Sequence, residues 1–275
     1  MSRHSFVLLS ILALALLASC QDMALLYYNR GVDAMEKGDG EAAVSSFRKS
    51  LEYRPDDPDT HINLGAAYYS IGDYDSALEE FKLAKDAYPE DPALHFNIAE
   101  TYAAMKAYQS ASREFALAIQ LNPEFYEALT AYGKLLIDMG DYDAAEERLI
   151  ASITIKPSYE PAYIYLGWVY AKTGKIHQAT YYLYRGLKSD PNSVDGRLGL
   201  GLTFYKKQLY DDALEEYEKV LFRYPDNTDA LLGIGECYTA LGNTGKAHEM
   251  LGKALKLKPE FPEANKALGD LYARE

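Results

Sequence analysis

Proline recurs in this sequence at a constant spacing, and that spacing constrains the fold more than any other feature. Successive members of one set of seven prolines lie 34 residues apart: Pro55, Pro89, Pro123, Pro157, Pro191, Pro225 and Pro259. An alanine stands twelve residues before each of them, and a glycine or alanine stands twelve residues earlier again. A fixed period of this length is typical of a repeat architecture, in which each unit packs against its neighbours in the chain.

Each repeat has the pattern of two helices joined by a turn. Apolar residues recur at three- and four-residue spacing, the period of one helix face. The pattern is broken near the middle of the unit, for example at Gly72-Asp73, and the closing proline cannot continue a helix. A large side chain follows the invariant alanine by four residues, as Phe47 follows Ala43. We expect it to pack on the small residue of the paired helix, because helices approach closely there.

These positions together resemble the tetratricopeptide repeat family. In one unit the matching residues are Asn63, Leu64, Gly65, Tyr68, Gly72, Asp73, Tyr74, Ala77, Phe81, Ala84 and Pro89. The resemblance implies an all-α fold, a right-handed α-solenoid of about seven helix-turn-helix units with a C-terminal capping helix. The predicted units span residues 24–57, 58–91, 92–125, 126–159, 160–193, 194–227 and 228–261, and the cap spans residues 262–275.

The first nineteen residues have the pattern of a lipoprotein signal peptide. Arg3 precedes an apolar run from Phe6 to Leu17, shorter than the roughly 20 residues that a membrane-spanning helix needs. The run Leu17-Ala18-Ser19-Cys20 resembles the bacterial lipobox, which implies removal of residues 1–19 and acylation of Cys20. Residues 20–23 are then the lipidated cysteine and a short linker. An ordinary secretory signal with a coincidental cysteine is the alternative.

Lipidation would place the chain in the bacterial cell envelope, since several acyl chains hold a protein firmly on a bilayer. The residue after the cysteine is Gln21, whereas Asp at that position retains enterobacterial lipoproteins at the inner membrane. This favours the outer membrane, on its periplasmic face or at the cell surface.

Charge and composition exclude several classes of partner. The chain has 28 Lys and Arg against 41 Asp and Glu, a net charge of -13, which disfavours long-range attraction to nucleic acids and to anionic lipid surfaces. The two cysteines, Cys20 and Cys237, give no disulfide framework, and five scattered histidines predict no metal site. Cys237 is predicted to be a buried thiol. His61 and His95 occupy the same position of consecutive units, where we expect them to stack between repeats.

Enzyme motifs are absent from the sequence. It has no HExxH, GxSxG or GxxxxGK[ST] pattern, and the glycines between Gly196 and Gly201 lie within a predicted helix at the wrong spacing for a phosphate loop. We therefore predict no catalytic residues, no metal and no cofactor. Gly199 and Gly233 add a further small residue to two of the repeats, which either tightens packing or weakens the helices.

A candidate partner-binding patch falls in the fifth and sixth repeats. In this family the first helix of each unit lines the concave face, and the resemblance places large apolar residues of two adjacent units there, flanked by two lysines. The patch consists of Ile164, Trp168, Lys172, Leu198, Leu202, Tyr205 and Lys206. Exposed aromatic residues in a concave surface are typical of binding hot spots. The alternative is that Trp168 and its neighbours only pack between repeats.

A second candidate surface is acidic. Asp59, Glu100 and Glu127 fall at concave positions of the front repeats and would make that half of the groove acidic. Such charge could attract a basic segment, but an ordinary solvated face is the reading that these residues favour. The Lys and Asn clamp that chaperone-binding members use for terminal carboxylates is missing.

Together these features predict a membrane-anchored extracytoplasmic scaffold that binds a protein partner on its concave face. The resemblance to repeat-containing lipoproteins implies work in envelope assembly, secretion or transporter support. Two alternatives remain open: a surface-exposed receptor or adhesin, and a carrier of a small hydrophobic ligand.

Overall fold

The computed structural model describes residues 21–273, which form helices and contain no strand. Its contacts divide the chain into two compact units, with the division between Ala128 and Leu129. The all-α repeat fold predicted from the 34-residue period is confirmed. Cys20 and the rest of the proposed signal peptide lie outside the described residues.

The first unit contains six helices and the start of a seventh. They are α1 (21–36), α2 (Gly40–Tyr53), α3 (Pro58–Ser70), α4 (Tyr74–Ala87), α5 (Pro92–Ala104), α6 (Tyr108–Leu121) and α7 (Tyr126–Met139), and the division falls within α7. Residues 21–23, assigned above to a linker, are already helical.

The second unit contains the rest of α7 and eight further helices. They are α8 (Tyr142–Ile155), α9 (Glu160–Lys172), α10 (Ile176–Gly186), α11 (Val194–Lys206), α12 (Tyr210–Arg223), α13 (Thr228–Ala240), α14 (Thr244–Leu257) and α15 (Pro262–Tyr272). Helix α15 packs on α13 and α14, at the position where the sequence predicts the capping helix.

The expected packing of a large side chain on a small one holds the two helices of a repeat together. Phe47 lies so close to Gly31 that a β-carbon at the glycine would come within 2.5 Å of the ring. Five further pairs show the same approach, at 2.5–2.7 Å: Gly65 with Phe81, Gly133 with Leu149, Gly167 with Leu183, Gly201 with Tyr217 and Gly235 with Leu251. The small residue is therefore required by contact between the helices.

The turn between the paired helices needs a left-handed residue, which the glycine of the Gly-Asp pattern supplies. Gly72 has a φ of 81°, and the next residue, Asp73, accepts a hydrogen bond from the Ser76 amide and so caps α4. Glycine adopts this φ without steric cost, and aspartate is a favoured N-cap. The same left-handed position is held by Gly38, Gly140, Gly174 and Gly242, but by Lys106 and Gln208 in two repeats.

In the second unit the first helices of consecutive repeats contact one another: α9 contacts α11, α11 contacts α13, and α13 contacts α15. Contacts between consecutive second helices, such as α10 with α12, do not occur among the described residues. The first helices thus form the more tightly packed, inner face of this unit. None of the helices in residues 21–273 is long and apolar enough to cross a membrane.

Candidate functional site

The predicted patch lies on α9 and α11, on the inner face of the second unit. Its members differ in how much surface they offer. Ile164 and Leu198 are buried, each with 6% of its surface exposed. Trp168, Leu202 and Tyr205 are partly buried, whereas Lys172 and Lys206 are exposed. We refer below to these seven residues as the Trp168 patch; the surface it presents is an aromatic and aliphatic centre between two lysines.

Trp168 both packs between repeats and keeps part of its ring at the surface. It contacts the apolar clusters on either side of α11, and its Nε1 donates a hydrogen bond of 2.8 Å to the Asp195 carbonyl of the next repeat. The close approach is possible because Gly199 has no side chain: a β-carbon there would lie 3.0 Å from Trp168 Nε1 and 2.6 Å from Leu183 Cδ2. The extra glycine therefore tightens packing.

Gly233 has the same effect one repeat later. A β-carbon at Gly233 would come within 2.4 Å of the Tyr217 ring, which also packs on Gly201. The ring is thus held between two glycines. Burial raises the pKa of the Tyr217 hydroxyl well above its ordinary value, so that this group is neutral at physiological pH.

Two lysines and Asp195 fix two aromatic side chains of α9, Trp168 and its neighbour Tyr165. Lys172 Nζ lies 5.6 Å from the centre of the Trp168 ring, within the range of a cation–π interaction. Tyr165, on the same helix, donates a hydrogen bond of 2.7 Å to Asp195 Oδ2, and Lys134 Nζ lies 5.5 Å from the Tyr165 ring centre. Asp195 therefore holds both aromatic rings, one through its carbonyl and one through its carboxylate.

The charge of Lys172 also acts on three carboxyl groups that the sequence patterns did not single out as a set. They are Asp138 on α7, Asp229 on α13 and Glu236 on α13. Burial raises the pKa of each, and the charge of Lys172 opposes the rise in all three. Further lysines also oppose it, Lys134 at Asp138 and Lys206 at Glu236. The inner face therefore carries both signs of charge around an apolar centre.

Asp138 and Glu236 occupy the same repeat positions as Lys172 and Trp168, respectively. Comparing equivalent positions of successive repeats along the inner face could therefore have identified these two carboxyl groups. The predicted patch was defined by the apolar residues and the two lysines of two adjacent repeats, and so it did not include the carboxyl groups of α7 and α13.

The acidic residues predicted for the front repeats lie in the first unit. Asp59 is exposed on α3, and its charge and hydrogen bond to Tyr88 raise the pKa of that hydroxyl. Glu100, on α5, lies near Tyr69, whose pKa is raised by burial and then by the Glu100 charge. Glu127 is partly buried near the start of α7. Helices α3 and α5 contact each other. Asp59 acts on Tyr88, whereas Glu100 acts on Tyr69, so the two carboxylates do not share a tyrosine.

His61 and His95 are buried as expected, but they form hydrogen bonds rather than stacks. His61 Nδ1 lies 2.6 Å from Glu80 Oε2, and Nε2 lies 2.9 Å from the Pro55 carbonyl. His95 repeats the arrangement with Glu114 and the Pro89 carbonyl. A carbonyl oxygen can only accept, so Nε2 is the donor in both. Each ring thus joins the end of one repeat to both helices of the next.

Other residue types form the same junction in the second unit. Arg197 Nε donates to the Pro191 carbonyl at 2.8 Å, and its guanidinium pairs with Glu216 at 2.6 Å. Tyr163 donates to the Pro157 carbonyl at 2.9 Å. In all four repeats the side chain lies six residues after the proline whose carbonyl it reaches. We call these contacts the junction hydrogen bonds.

Cys237 is buried and free, as the sequence predicts. Burial raises the pKa of its thiol to about 12, and the nearby charge of Glu236 adds to the rise. The thiol is thus protonated and a poor nucleophile at neutral pH. Within residues 21–273, no group of three or more His, Cys, Asp or Glu side chains is arranged to hold a metal ion.

Comparison with known proteins matches the repeats directly. One family model described as tetratricopeptide repeat matches residues 28–92 and 165–227, and a second with the same description matches residues 102–166 and 204–271. No curated protein sequence matches the chain.

Solved structures share the fold. A tetratricopeptide repeat protein from Parabacteroides merdae superposes with a TM-score of 0.75 at 17% identity, covering 91% of this chain and 99% of that one. PilW, a type IV pilus biogenesis factor, gives a TM-score of 0.65 at 23% identity, covering 77% and 98%. PilF of Pseudomonas aeruginosa gives 0.60 at 21%, covering 78% and 97%. At these identities the likeness concerns the fold.

Proposed function

Because the chain belongs to the tetratricopeptide repeat family, we propose that it is a non-enzymatic scaffold, tethered to a membrane through Cys20, that binds a protein partner at the Trp168 patch. Repeats of this family generally mediate contacts between proteins, and that general role is the premise of the proposal. The work of the scaffold belongs to envelope assembly, secretion or transporter support. Two structural neighbours, PilW and PilF, have names from pilus biology.

The observation that carries the proposal is the partly exposed Trp168 ring, held rigidly on the inner face. Its hydrogen bond to the Asp195 carbonyl and its contact with Gly199 fix the ring before any partner arrives. A partner that covers the ring therefore gains apolar burial without the entropy cost of ordering the side chain. Lys172 and Lys206, both exposed, form a polar rim of the kind that surrounds such centres.

Photo-crosslinking in whole cells tests the binding site. A photoreactive residue at Leu202, on the inner face, is expected to capture one protein of defined mass. The same residue at Gln178, exposed on the second helix α10, serves as the matched control and is expected to capture none of it. Equal capture at both positions, or capture only at Gln178, would place the partner elsewhere.

Substitutions that leave the core intact separate binding from folding. Trp168→Ala removes the anchor but also opens a gap between repeats, so Lys172→Glu with Lys206→Glu is the cleaner variant because both side chains are exposed. We expect this pair to weaken crosslinking at Leu202 while helical content is retained. Lys188→Glu, an exposed charge reversal outside the patch, is the control and should leave capture unchanged.

The tether has its own test. Cys20→Ser removes the only acceptor for the lipid, so the protein is expected to appear in the soluble fraction, folded, and without the mass of the acyl chains. A Cys20→Ser protein that still sediments with membranes would contradict attachment through this residue.

A further inference from the structure

The beginning of α1 exposes apolar side chains at an end of the repeat array. Leu25 is 57% exposed and Leu26 is 42% exposed. In later repeats the position of Leu26 is buried: Thr60 is 1% exposed, and Ala162, Ala230 and Ala264 are fully buried. A preceding repeat covers those residues, whereas none precedes α1 in the described chain. The end helix of a repeat array ordinarily has a polar outer face, so exposed leucines there indicate that something else covers them.

Aromatic and basic side chains adjoin these leucines. The rings of Tyr27 on α1 and Tyr53 on α2 stack with their centres 6.0 Å apart. Arg30 and Lys49 both lie over the Tyr27 ring, at 5.4 Å and 5.5 Å from its centre. Leucine, tyrosine and basic side chains together are the composition of surfaces that lie at the boundary between lipid tails and headgroups.

We propose that this N-terminal patch, formed by Leu25, Leu26, Tyr27, Arg30, Lys49 and Tyr53, lies directly on the bilayer that holds the lipid anchor. The inference rests on the proposed acylation of Cys20. Residues 21–36 are helical, and each helical residue advances the chain by about 1.5 Å. Leu26 therefore lies only about 7.5 Å along the helix from residue 21, which directly follows the acylated residue in the sequence, so the helix has no spacer with which to stand away from the membrane.

Apolar insertion supplies most of the attraction. Asp22 and Glu52 are also exposed on α1 and α2, and they offset much of the charge of Arg30 and Lys49. The patch is therefore suited to shallow burial of two leucines and two tyrosine rings, with each cation near a lipid phosphate. The docked surface fixes the orientation of the first unit on the membrane, beyond what a flexible lipid tether does.

Single-cysteine labelling of the full-length lipidated protein tests the docking. The chain suits the method because Cys20 is acylated in the proposal and Cys237 is buried. An environment-sensitive fluorophore is attached at Asn29→Cys, one turn from Leu25, or at Gln178→Cys as the matched control; both native residues are exposed. Each protein is reconstituted into vesicles of phosphatidylethanolamine and phosphatidylglycerol, with and without brominated lipid.

We expect the label at residue 29 to emit at shorter wavelength in vesicles and to be quenched by brominated lipid, whereas the label at residue 178 shows neither change. Leu25→Glu with Leu26→Glu should abolish both effects at residue 29 while the protein stays on the vesicles. The native side chains are exposed, so folding is preserved.

Three outcomes overturn the docking. If the label at residue 29 emits as it does in water although the protein is acylated and vesicle-bound, the docking is refuted. The attachment through the lipid on Cys20 is then unaffected. Self-quenching between labels at residue 29 that rises with protein density, without quenching by brominated lipid, assigns the patch to a second copy of the chain. Protein that carries no acyl mass and stays in the aqueous fraction overturns both the tether and the docking that depends on it.

Discussion

At the scale of the residue, one backbone position decides how each repeat turns. The five glycines at this position have φ between 74° and 81°, and Lys106 and Gln208 adopt φ of 59° and 63° there. The residue that follows is an aspartate or asparagine cap in most repeats, but it is Ala107 or Leu209 where the glycine is missing. These two turns therefore lack both the unstrained residue and the side-chain cap.

Replacing Lys106 with glycine is expected to stabilise the protein. A residue with a β-carbon in the left-handed region costs roughly 1–2 kcal/mol, and the added freedom of glycine in the unfolded chain offsets part of that gain. We expect Lys106→Gly to raise the free energy of unfolding by about 1 kcal/mol, measured by urea denaturation followed by circular dichroism. Lys106→Ala keeps the β-carbon and is the control; an equal gain from alanine would show that strain is not the cause.

The sequence predicts this turn well because a glycine followed by aspartate is a local signal. The residue that caps the helix and the residue with positive φ are neighbours, so no distant contact is needed to recognise them. The two turns without glycine were recognisable only from the register of the repeat, since neither Lys106 nor Gln208 is typical of a left-handed position.

At the scale of the element, the junction hydrogen bonds tie four of the helix pairs to the repeat before them. The side chain six residues after the proline changes from histidine to tyrosine to arginine, yet its bond to the proline carbonyl is kept. This carbonyl follows the last helix of a pair, where no further helical N–H group can donate to it. Its hydrogen bond must therefore come from a side chain or from water. The repeat period identifies the repeated histidines but not their partners, because Glu80 and Glu114 lie on the other helix of each pair.

Truncating one of these side chains should be costly. His95 is fully buried, and His95→Ala would leave Glu114 and the Pro89 carbonyl without this partner in a buried site. Removing one member of a buried polar set costs about 2–4 kcal/mol. The loss is measured by urea denaturation, with His177→Ala, an exposed histidine on α10, as the control that should change stability by less than about 0.5 kcal/mol. Equal effects would contradict a structural role for the junction.

Helical glycines offer a second matched pair. A β-carbon at Gly199 would lie 2.6 Å from Leu183 and 3.0 Å from Trp168, whereas one at Gly252 on α14 meets nothing within 4 Å. Gly199→Ala should therefore destabilise the second unit by about 1–3 kcal/mol, and Gly252→Ala should stabilise it by about 0.5–1 kcal/mol. Trp168 is the only tryptophan in the chain, so its fluorescence follows unfolding and also reports displacement of the ring by Gly199→Ala. Two alanine variants of equal stability would contradict the packing described.

In the candidate site, the features set by the repeat register were predictable from the sequence, whereas those set by contacts between repeats were not. The spacing of Trp168, Leu202 and Tyr205 along α9 and α11 follows from the repeat register and identifies one face. Which of those side chains stay accessible depends on contacts between repeats, and the burial of Ile164 and Leu198 follows from neighbours far along the chain. The carboxyl groups of Asp138, Asp229 and Glu236, on which the charge of Lys172 acts, come from the fourth and the seventh repeat, a grouping that needs the helix positions as well as the period.

At the scale of the whole molecule, the array has to cover an apolar face wherever its repeats stop. At the C-terminal end α15 and its N-cap residue do this: Phe261, Ala264, Ala267 and Leu271 pack into the clusters of α13 and α14. Its outward residues are mostly polar, among them Asn265, Lys266 and Asp270. The N-terminal helix also exposes polar residues such as Asn29 and Arg30, but it presents Leu25 and Leu26 among them. The C-terminal apolar face is thus covered by the capping helix α15, whereas we propose that the membrane covers the exposed leucines of α1.

A charge placed under the capping helix should uncover the C-terminal end. Leu271 is 1% exposed and packs with Leu251 and Ala247, whereas its neighbour Tyr272 is 59% exposed. Leu271→Glu loses the burial of a leucine and places a carboxylate in an apolar site, so we expect a loss of about 3–5 kcal/mol in the unfolding of the second unit. Tyr272→Glu carries the same charge one residue away but forfeits only a ring contact with His248, so its loss should stay below about 1 kcal/mol. Trp168 fluorescence in urea measures the free energy of unfolding of both variants. Light scattering should show self-association of Leu271→Glu alone, because only that variant exposes the face that α15 covers. Similar losses from the two variants would mean that charge at this end, rather than the uncovered apolar face, determines stability.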